Sequence, residues 1–112
     1  MQVKRGDVVW VAFGREGSTM TKLRPAVVIQ NDLINRTAPH TIVAAVRHDT
    51  RKGLPIHVPL AAGVAGLTKD SVVDLGHIAT LPLERLKPGK GGIGQAKLAE
   101  VDQALRLSVG LT

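Results

Sequence analysis

Leu23-Arg24-Pro25-Ala26-Val27-Val28-Ile29-Gln30-Asn31-Asp32 joins an arginine, through a proline, to a continuous apolar run. Ala26 to Ile29 predicts a strand buried on both faces, and Pro25 stands at its first position, where a missing N–H is tolerated. Proline also holds the residue before it in extended backbone. Arg24 therefore leaves the mouth of the strand on a rigid platform, which suits a guanidinium that has to meet a phosphate. The competing reading is a surface arginine paired with Asp32 or Asp7.

Outward from that strand, the length of 112 residues fits a single domain, 1–112, with one core. The hydrophobic fraction is 44% but only 2% is aromatic, Trp10 and Phe13, so Val, Leu, Ile and Ala must fill the interior. Cysteine is absent, which excludes disulfides and thiolate metal sites. With neither a signal peptide nor an apolar run of membrane length, the expected location is the cytoplasm. Fifteen Lys and Arg against nine Asp and Glu give a net charge of +6, and the first partner this suggests is a nucleic acid, bound with marked salt dependence.

Val8-Val9-Trp10-Val11-Ala12-Phe13 is apolar on both faces and predicts a strand inside a curled sheet, ended by Gly14. The polar, glycine-containing stretch from Gly14 to Lys22 is a loop long enough to fold over a site. After the central strand, Asn31 or Asp32 caps a helical turn that Pro39 closes. Thr41 to Val46 is the third strand, and it delivers Arg47-His48-Asp49-Thr50-Arg51-Lys52-Gly53, a second place where chemistry could live. Leu54 to Leu60 alternates, and its two prolines mark an edge or bulged strand. A flexible link, Ala61 to Gly66, leads to a long strand over Ser71 to Thr80 with Gly76 at a bulge. Thr80 caps a short helical turn containing Pro82 and Glu84. Lys87 to Gly94 is a glycine-rich connection or a poor strand and is read as a turn; the βα context and the Lys-Ser/Thr of a phosphate-binding loop are missing. Gln95 to Val109 is a helix whose core stripe is Leu98, Val101, Leu105 and Val109, stopped by Gly110. Five or six short strands and one terminal helix describe a mainly β fold, a small bent antiparallel β-barrel with a helix laid against it.

Lys4-Arg5-Gly6-Asp7-Val8-Val9-Trp10, Arg24-Pro25-Ala26-Val27-Val28-Ile29-Gln30-Asn31-Asp32, Asn35-Arg36, Leu54-Pro55-Ile56-His57-Val58, Lys69-Asp70-Ser71-Val72-Val73 and Val101-Asp102-Gln103-Ala104-Leu105 together resemble the MazF/PemK family of toxins. The resemblance covers nearly the whole chain. It implies an SH3-like, PemK/CcdB-type antiparallel barrel with a C-terminal helix, and a symmetric homodimer. It also implies metal-independent, sequence-specific cleavage of single-stranded mRNA as part of a type II toxin–antitoxin system. A MazE-like antitoxin would occupy the RNA groove and link the complex to operator DNA; no cofactor, no metal and no membrane is involved.

RNA carries its own nucleophile. The 2′-OH attacks the adjacent phosphorus to leave a 2′,3′-cyclic phosphate and a 5′-OH, given proton transfer at both oxygens and a cation to steady the added charge. Arg24 fits the cation's role, since its fork spans two phosphate oxygens. Where the family pattern carries Thr or Ser at the end of the third strand, this chain carries Arg47. Thr50 follows three residues later, and His48 offers a proton carrier, the competing reading being a solvated loop residue. The catalytic candidates are therefore Arg24, Arg47, Thr50 and His48. Phe13, Lys22, Asn31, Arg51 and His77 are assigned to substrate binding: basic side chains on the backbone, a stacking role for Phe13, and His77 as a base contact or proton donor. For Phe13 the competing role is core or partner packing, and for His77 a partly buried histidine with one backbone partner. The Gly14 to Lys22 loop is read as a lid over RNA. His40 and His57 show no metal-ligand spacing with His48 or His77. Two alternatives stand beside the nuclease: a catalytically silent relative that binds RNA or DNA with its antitoxin, and a CcdB-like gyrase poison.

Overall fold

The computed structural model describes residues 1–12, 22–48 and 53–111. Its elements, in chain order, are β1 (Asp7–Ala12), β2 (Leu23–Val28), a short helix α1 (Asp32–Asn35), β3 (His40–Arg47), β4 (His57–Leu60), a 3-10 turn (Val64–Gly66), β5 (Ser71–Pro82), a second 3-10 turn (Leu83–Arg85), β6 (Leu86–Gly92) and α2 (Gln95–Ser108). The strands form one sheet in the order β4-β5-β3-β2-β1-β6, and every neighbouring pair is antiparallel.

Alternating residues of the inner strands feed two separate cores. Val8, Val27, Ile29, Ala44 and Val46 face the larger one, with Leu75, Val101 and Ala104. Val9, Val11, Ala26, Val28 and Val43 face the smaller one, with Leu86. This is why β1 and β2 read as apolar on both sides: each is a middle strand with a core above and below it. At about 1.5–3 kcal/mol per fully buried Val or Leu side chain, these two clusters are the main favourable term in folding. Helix α2 closes the larger core with Val101 and Ala104 buried and Leu98 and Leu105 packed alongside. Val109, placed on that stripe by its spacing, is instead 49% exposed, because the helix ends at Ser108 and Val109 is only its C-cap.

Around Arg5 the ends of several elements are tied together. Its backbone N–H donates to Asp32 Oδ1 at 2.7 Å, its Nε to the Ile29 carbonyl at 2.9 Å, and its Nη2 lies 2.5 Å from Asp102 Oδ1 on α2. Asn31 caps α1, its Oδ1 accepting from Leu33 N–H at 2.8 Å. Buried Asn35 receives the Thr41 hydroxyl at 2.7 Å and donates to the Gln30 carbonyl at 3.0 Å, which fixes α1 against β3.

Three sequence readings are corrected. Lys87 to Gly92 is not a turn but most of β6, paired with β1 in the register Trp10–Lys87 and Val9–Pro88. Gly89 permits that approach: a Cβ there would lie 2.1 Å from the Val8 carbonyl oxygen. The helical turn placed at Thr80 begins later, at Leu83, since β5 continues through Thr80 to Pro82. The link Ala61 to Gly66 contains the first 3-10 turn, tied by Gly63 N–H to the Leu67 carbonyl at 2.7 Å. The edge position of β4 and the bulge at Gly76 are as read. Among the described residues no helix is long and apolar enough to cross a membrane.

Candidate active site

Strand register decides which charged side chains share a face. Strands β2 and β3 pair Val28 with Val43, Val27 with Ala44 and Ala26 with Ala45, and the same register continued by two residues sets Arg24 against Arg47. Since side chains alternate along a strand, Arg24 shares the face of Ala26 and Val28, and Arg47 that of Val43. Both arginines thus stand at one end of neighbouring strands, beyond the smaller core. Val11 of β1, directly opposite Arg24, belongs to that core as well. Pro25 is buried and Arg24 is exposed, so the platform is packed while its charge faces solvent. Asp32 and Asp7 are occupied elsewhere: Asp32 by Arg5 and Asn35, Asp7 by the Lys4 N–H at 2.8 Å. Among the described residues, then, neither acid named in the competing reading engages Arg24.

On β5 a buried acid organises the same face. Asp74 pairs with Ala45 of β3 and His57 of β4, and is only 2% exposed. The ladder then jumps: Ala45 faces Asp74 but Ala44 faces Ile78, so Leu75, Gly76 and His77 bulge out. The bulge brings His77 back over Asp74, with Nδ1 2.9 Å from Oδ2, while the Gly76 N–H donates to Oδ1 at 2.9 Å. Arg47 Nη2 donates to the same Oδ2 and lies 2.9 Å from His77 Nδ1. His57 Nε2 is 3.5 Å from Oδ1. Burial pushes the Asp74 carboxyl up, but the hydrogen bonds from Arg47, Gly76 and His77 and the Arg47 charge outweigh it and hold the group below the usual carboxylate range. Beside the cluster a cavity of about 150 Å³ is lined by Val43, Ala45, His77, Ile78 and Ala79.

Of the sequence-derived candidates, the structure brings Arg47 and His77 into contact, and the strand register puts Arg24 on the same face. Exposed Lys22 precedes β2 at the same end. His48 follows Arg47 and takes the opposite face, with Nδ1 3.2 Å from Ser71 Oγ. Asn31 lies past the far end of β2 and is engaged in capping α1. Phe13, Thr50 and Arg51, and the Gly14 to Thr21 part of the loop, lie outside the described residues. His77 is 65% exposed and its partners are side chains, not the single backbone partner of the bland reading. Asp74 and His57 were not among the candidates. The signal for Asp74 was present, since a lone acid inside Val72-Val73-Asp74-Leu75 must find partners when its strand is buried. Among the described residues no group of three or more His, Cys, Asp or Glu is arranged to hold a metal ion.

Comparison with known proteins places this geometry. Residues 4–109 match the family model described as PemK-like, MazF-like toxin of type II toxin–antitoxin system. Endoribonuclease MazF of Staphylococcus epidermidis is 40% identical over 111 residues, spanning 97% of this chain and 92% of that protein. Two solved structures share the fold. An endoribonuclease in complex with its cognate antitoxin from a mycobacterial species superposes with a TM-score of 0.80 at 21% identity, over 96% of this chain and 95% of that one. A MazE–MazF structure from Deinococcus radiodurans gives 0.77 at 24% identity, over 100% and 99%. With a family match over nearly its full length, and a six-stranded sheet and terminal helix of the same shape, the chain belongs to the PemK-like, MazF-like toxin family of type II toxin–antitoxin systems.

Proposed function

We propose that the chain is an endoribonuclease toxin that cuts single-stranded mRNA in the cytoplasm, as a homodimer restrained by a MazE-like antitoxin. The observation that carries this reading is the placement of Arg24, on its buried proline, at the same end and on the same face as Arg47. Arg47, anchored on Asp74, and Arg24, leaving a packed proline, put two guanidiniums at one end of this face as a cradle for a phosphodiester, and placed donors act most strongly where charge develops during reaction. The substrate's 2′-OH attacks phosphorus, the P–O5′ bond breaks, and the products are a 2′,3′-cyclic phosphate and a 5′-OH. Arg24 binds two nonbridging oxygens as their charge grows. Arg47 is half-exposed and already anchored by Asp74, so it adds positive potential at a set position. Thr50, three residues beyond the position where the family pattern carries its Thr or Ser, is the candidate hydroxyl. Because the nucleophile is internal and a guanidinium steadies the phosphorane, this route asks for no metal.

Incubating the purified protein with a long unstructured transcript, with and without a chelator, tests the reading. New 5′-hydroxyl ends that persist in chelator, and fall by about 10²-fold or more in Arg24→Ala, support it. An intact transcript that is still bound would make the chain a binding module. DNA breaks in cells whose transcripts stay whole would make it a gyrase poison.

A further inference from the structure

Among the described residues, the two arginines of the cradle supply no base. A guanidinium has no lone pair to offer at neutral pH, and a threonine hydroxyl is a poor proton acceptor, yet the 2′-OH must lose its proton as O2′ bonds to phosphorus. Two imidazoles stand on the face that carries Arg24 and Arg47. His57 is 18% exposed and turns Nε2 toward Asp74 Oδ1. His77 is 65% exposed, lines the cavity beside Ala45, and turns Nδ1 toward Asp74 Oδ2.

His77 Nδ1 lies 2.9 Å from both Asp74 Oδ2 and Arg47 Nη2; because a carboxylate only accepts, we assign the hydrogen to Nδ1, donating to Oδ2, with the Arg47 N–H directed to the same oxygen. With Nδ1 carrying the hydrogen, the neutral ring keeps its lone pair on Nε2, away from the carboxylate. Among the described residues, the charged and titratable groups around the ring are Arg47 from β3 and Asp74 from β5 itself, with His57 of β4 on the other oxygen of Asp74. The bulge makes the arrangement possible. The Gly76 N–H fixes the other carboxylate oxygen, and a Cβ on Gly76 would sit 2.9 Å from Ile56 Cδ1 and 3.1 Å from Asp74 Oδ1.

We propose that His77 is the general base of the cleavage and that Asp74 is its positioning residue, an inference that rests on the nuclease reading above. In the step, the 2′-OH proton passes to His77 Nε2 as the O2′–P bond forms. The P–O5′ bond breaks with its electron pair on O5′, which takes a proton from water, and His77 then returns its proton to solvent.

The test uses the full-length protein and a long transcript, reading the rate of new 5′-hydroxyl ends from about pH 5 to about pH 9. Wild type should lose rate on the acid side of that range. His77→Gln changes an exposed side chain, so the fold, checked by circular dichroism, should persist. Its rate should drop by about 10²-fold or more and its acid limb should vanish. Asp74→Asn, which also releases Arg47, should lower the rate but keep the acid limb, as expected when a ring is misplaced but present. A His77→Gln protein that cuts within a few-fold of wild type with the acid limb intact overturns the proposal while leaving the nuclease reading in place. Wild type that cuts no RNA overturns both.

Discussion

Arg47 and Asp74 meet across the β3–β5 ladder as unequal partners: the guanidinium is 47% exposed and the carboxylate beneath it 2% exposed. A buried acid holds a solvent-facing cation in place. The pairing sets the direction of Arg47 on the face shared with Arg24. It also leaves the acid dependent on its cation, because a buried charge without a partner is costly while a half-exposed guanidinium rehydrates readily.

Arg47→Ala should therefore destabilise the fold more than Asp74→Asn at neutral pH. The first strands a buried carboxylate, with His77, His57 and the Gly76 N–H as its remaining partners, and about 1–3 kcal/mol is expected. Asp74→Asn removes the charge itself and should cost less. Urea midpoints of both variants at pH 7 check the order, and at low pH the Arg47→Ala deficit should shrink as the carboxylate takes up a proton.

Acid should unfold the wild type through two named carboxylates. Asp32 is held below the usual range first by the Arg5 backbone N–H and then by the Asn35 amide, and Asp74 is held low against the opposing effect of burial. A carboxyl whose folded pKa lies below its unfolded value, about 3.9 for Asp, contributes stability that is complete above that value and lost as pH falls through the folded one. From these two groups the melting temperature should be flat between about pH 7 and pH 5 and fall below about pH 4. Melting curves of Asp74→Asn and Asp32→Asn across that range should show a shallower acid-side fall than wild type.

Much of this architecture was legible before any coordinates. The doubly apolar runs of β1 and β2 meant inner strands, Gly76 meant a bulge, and Pro55 and Pro59 meant an edge. Strand β6 was not legible, because Leu86-Lys87-Pro88-Gly89-Lys90-Gly91-Gly92 has no alternation. Its extension is imposed by the free side of β1, where Gly89 answers to the Val8 carbonyl and Gly92 to the Gly6 carbonyl. At the site, the Arg24 platform could be read from one proline. The separation of His48 from Arg47 follows from the period of two, but only once β3 is known to run through Arg47. Asp74 required the bulge, since no local spacing shows that His77 returns over an acid three residues behind it.

Arg5→Ala should loosen the junction of β1, β2 and α2. The side chain donates to the Ile29 carbonyl at 2.9 Å and reaches Asp102 at 2.5 Å, while its own N–H to Asp32 survives the substitution. Hydrogen bonds that involve a charged group contribute about 1.5–3 kcal/mol, and the pair is only partly buried, so a loss of about 1–2 kcal/mol is expected. Asp102→Asn should cost less, because the bond to Ile29 remains. Thermal unfolding of both variants checks the order.

Gly89→Ala places a methyl 2.1 Å from the Val8 carbonyl oxygen, a backbone atom that has no rotamer to escape into. Strand β6 must move off β1 or β1 must bend, and either breaks part of the ladder that runs from Asp7–Gly92 to Val11–Leu86. A cost at or above the usual 1–3 kcal/mol of overpacking is expected. Hydrogen exchange should show lost protection confined to β1 and β6 if the fold survives.

RNA affinity should fall steeply with salt, and the steepness should identify which cations meet phosphate. For a single strand the slope of log K against log salt is about −0.7 per neutralised phosphate. Arg24→Ala should therefore make the slope shallower by about 0.7 or slightly more, and Lys22→Ala, at the same end of the sheet, by a similar amount. Arg36→Ala changes an exposed cation just after α1, beyond the far end of β2, and should leave the slope unchanged. Fluorescence titrations of a labelled single strand at four or more salt concentrations separate these cases. An Arg24→Ala slope equal to that of wild type would place the phosphate path away from β2, and with it the cradle that the arginine face was taken to form.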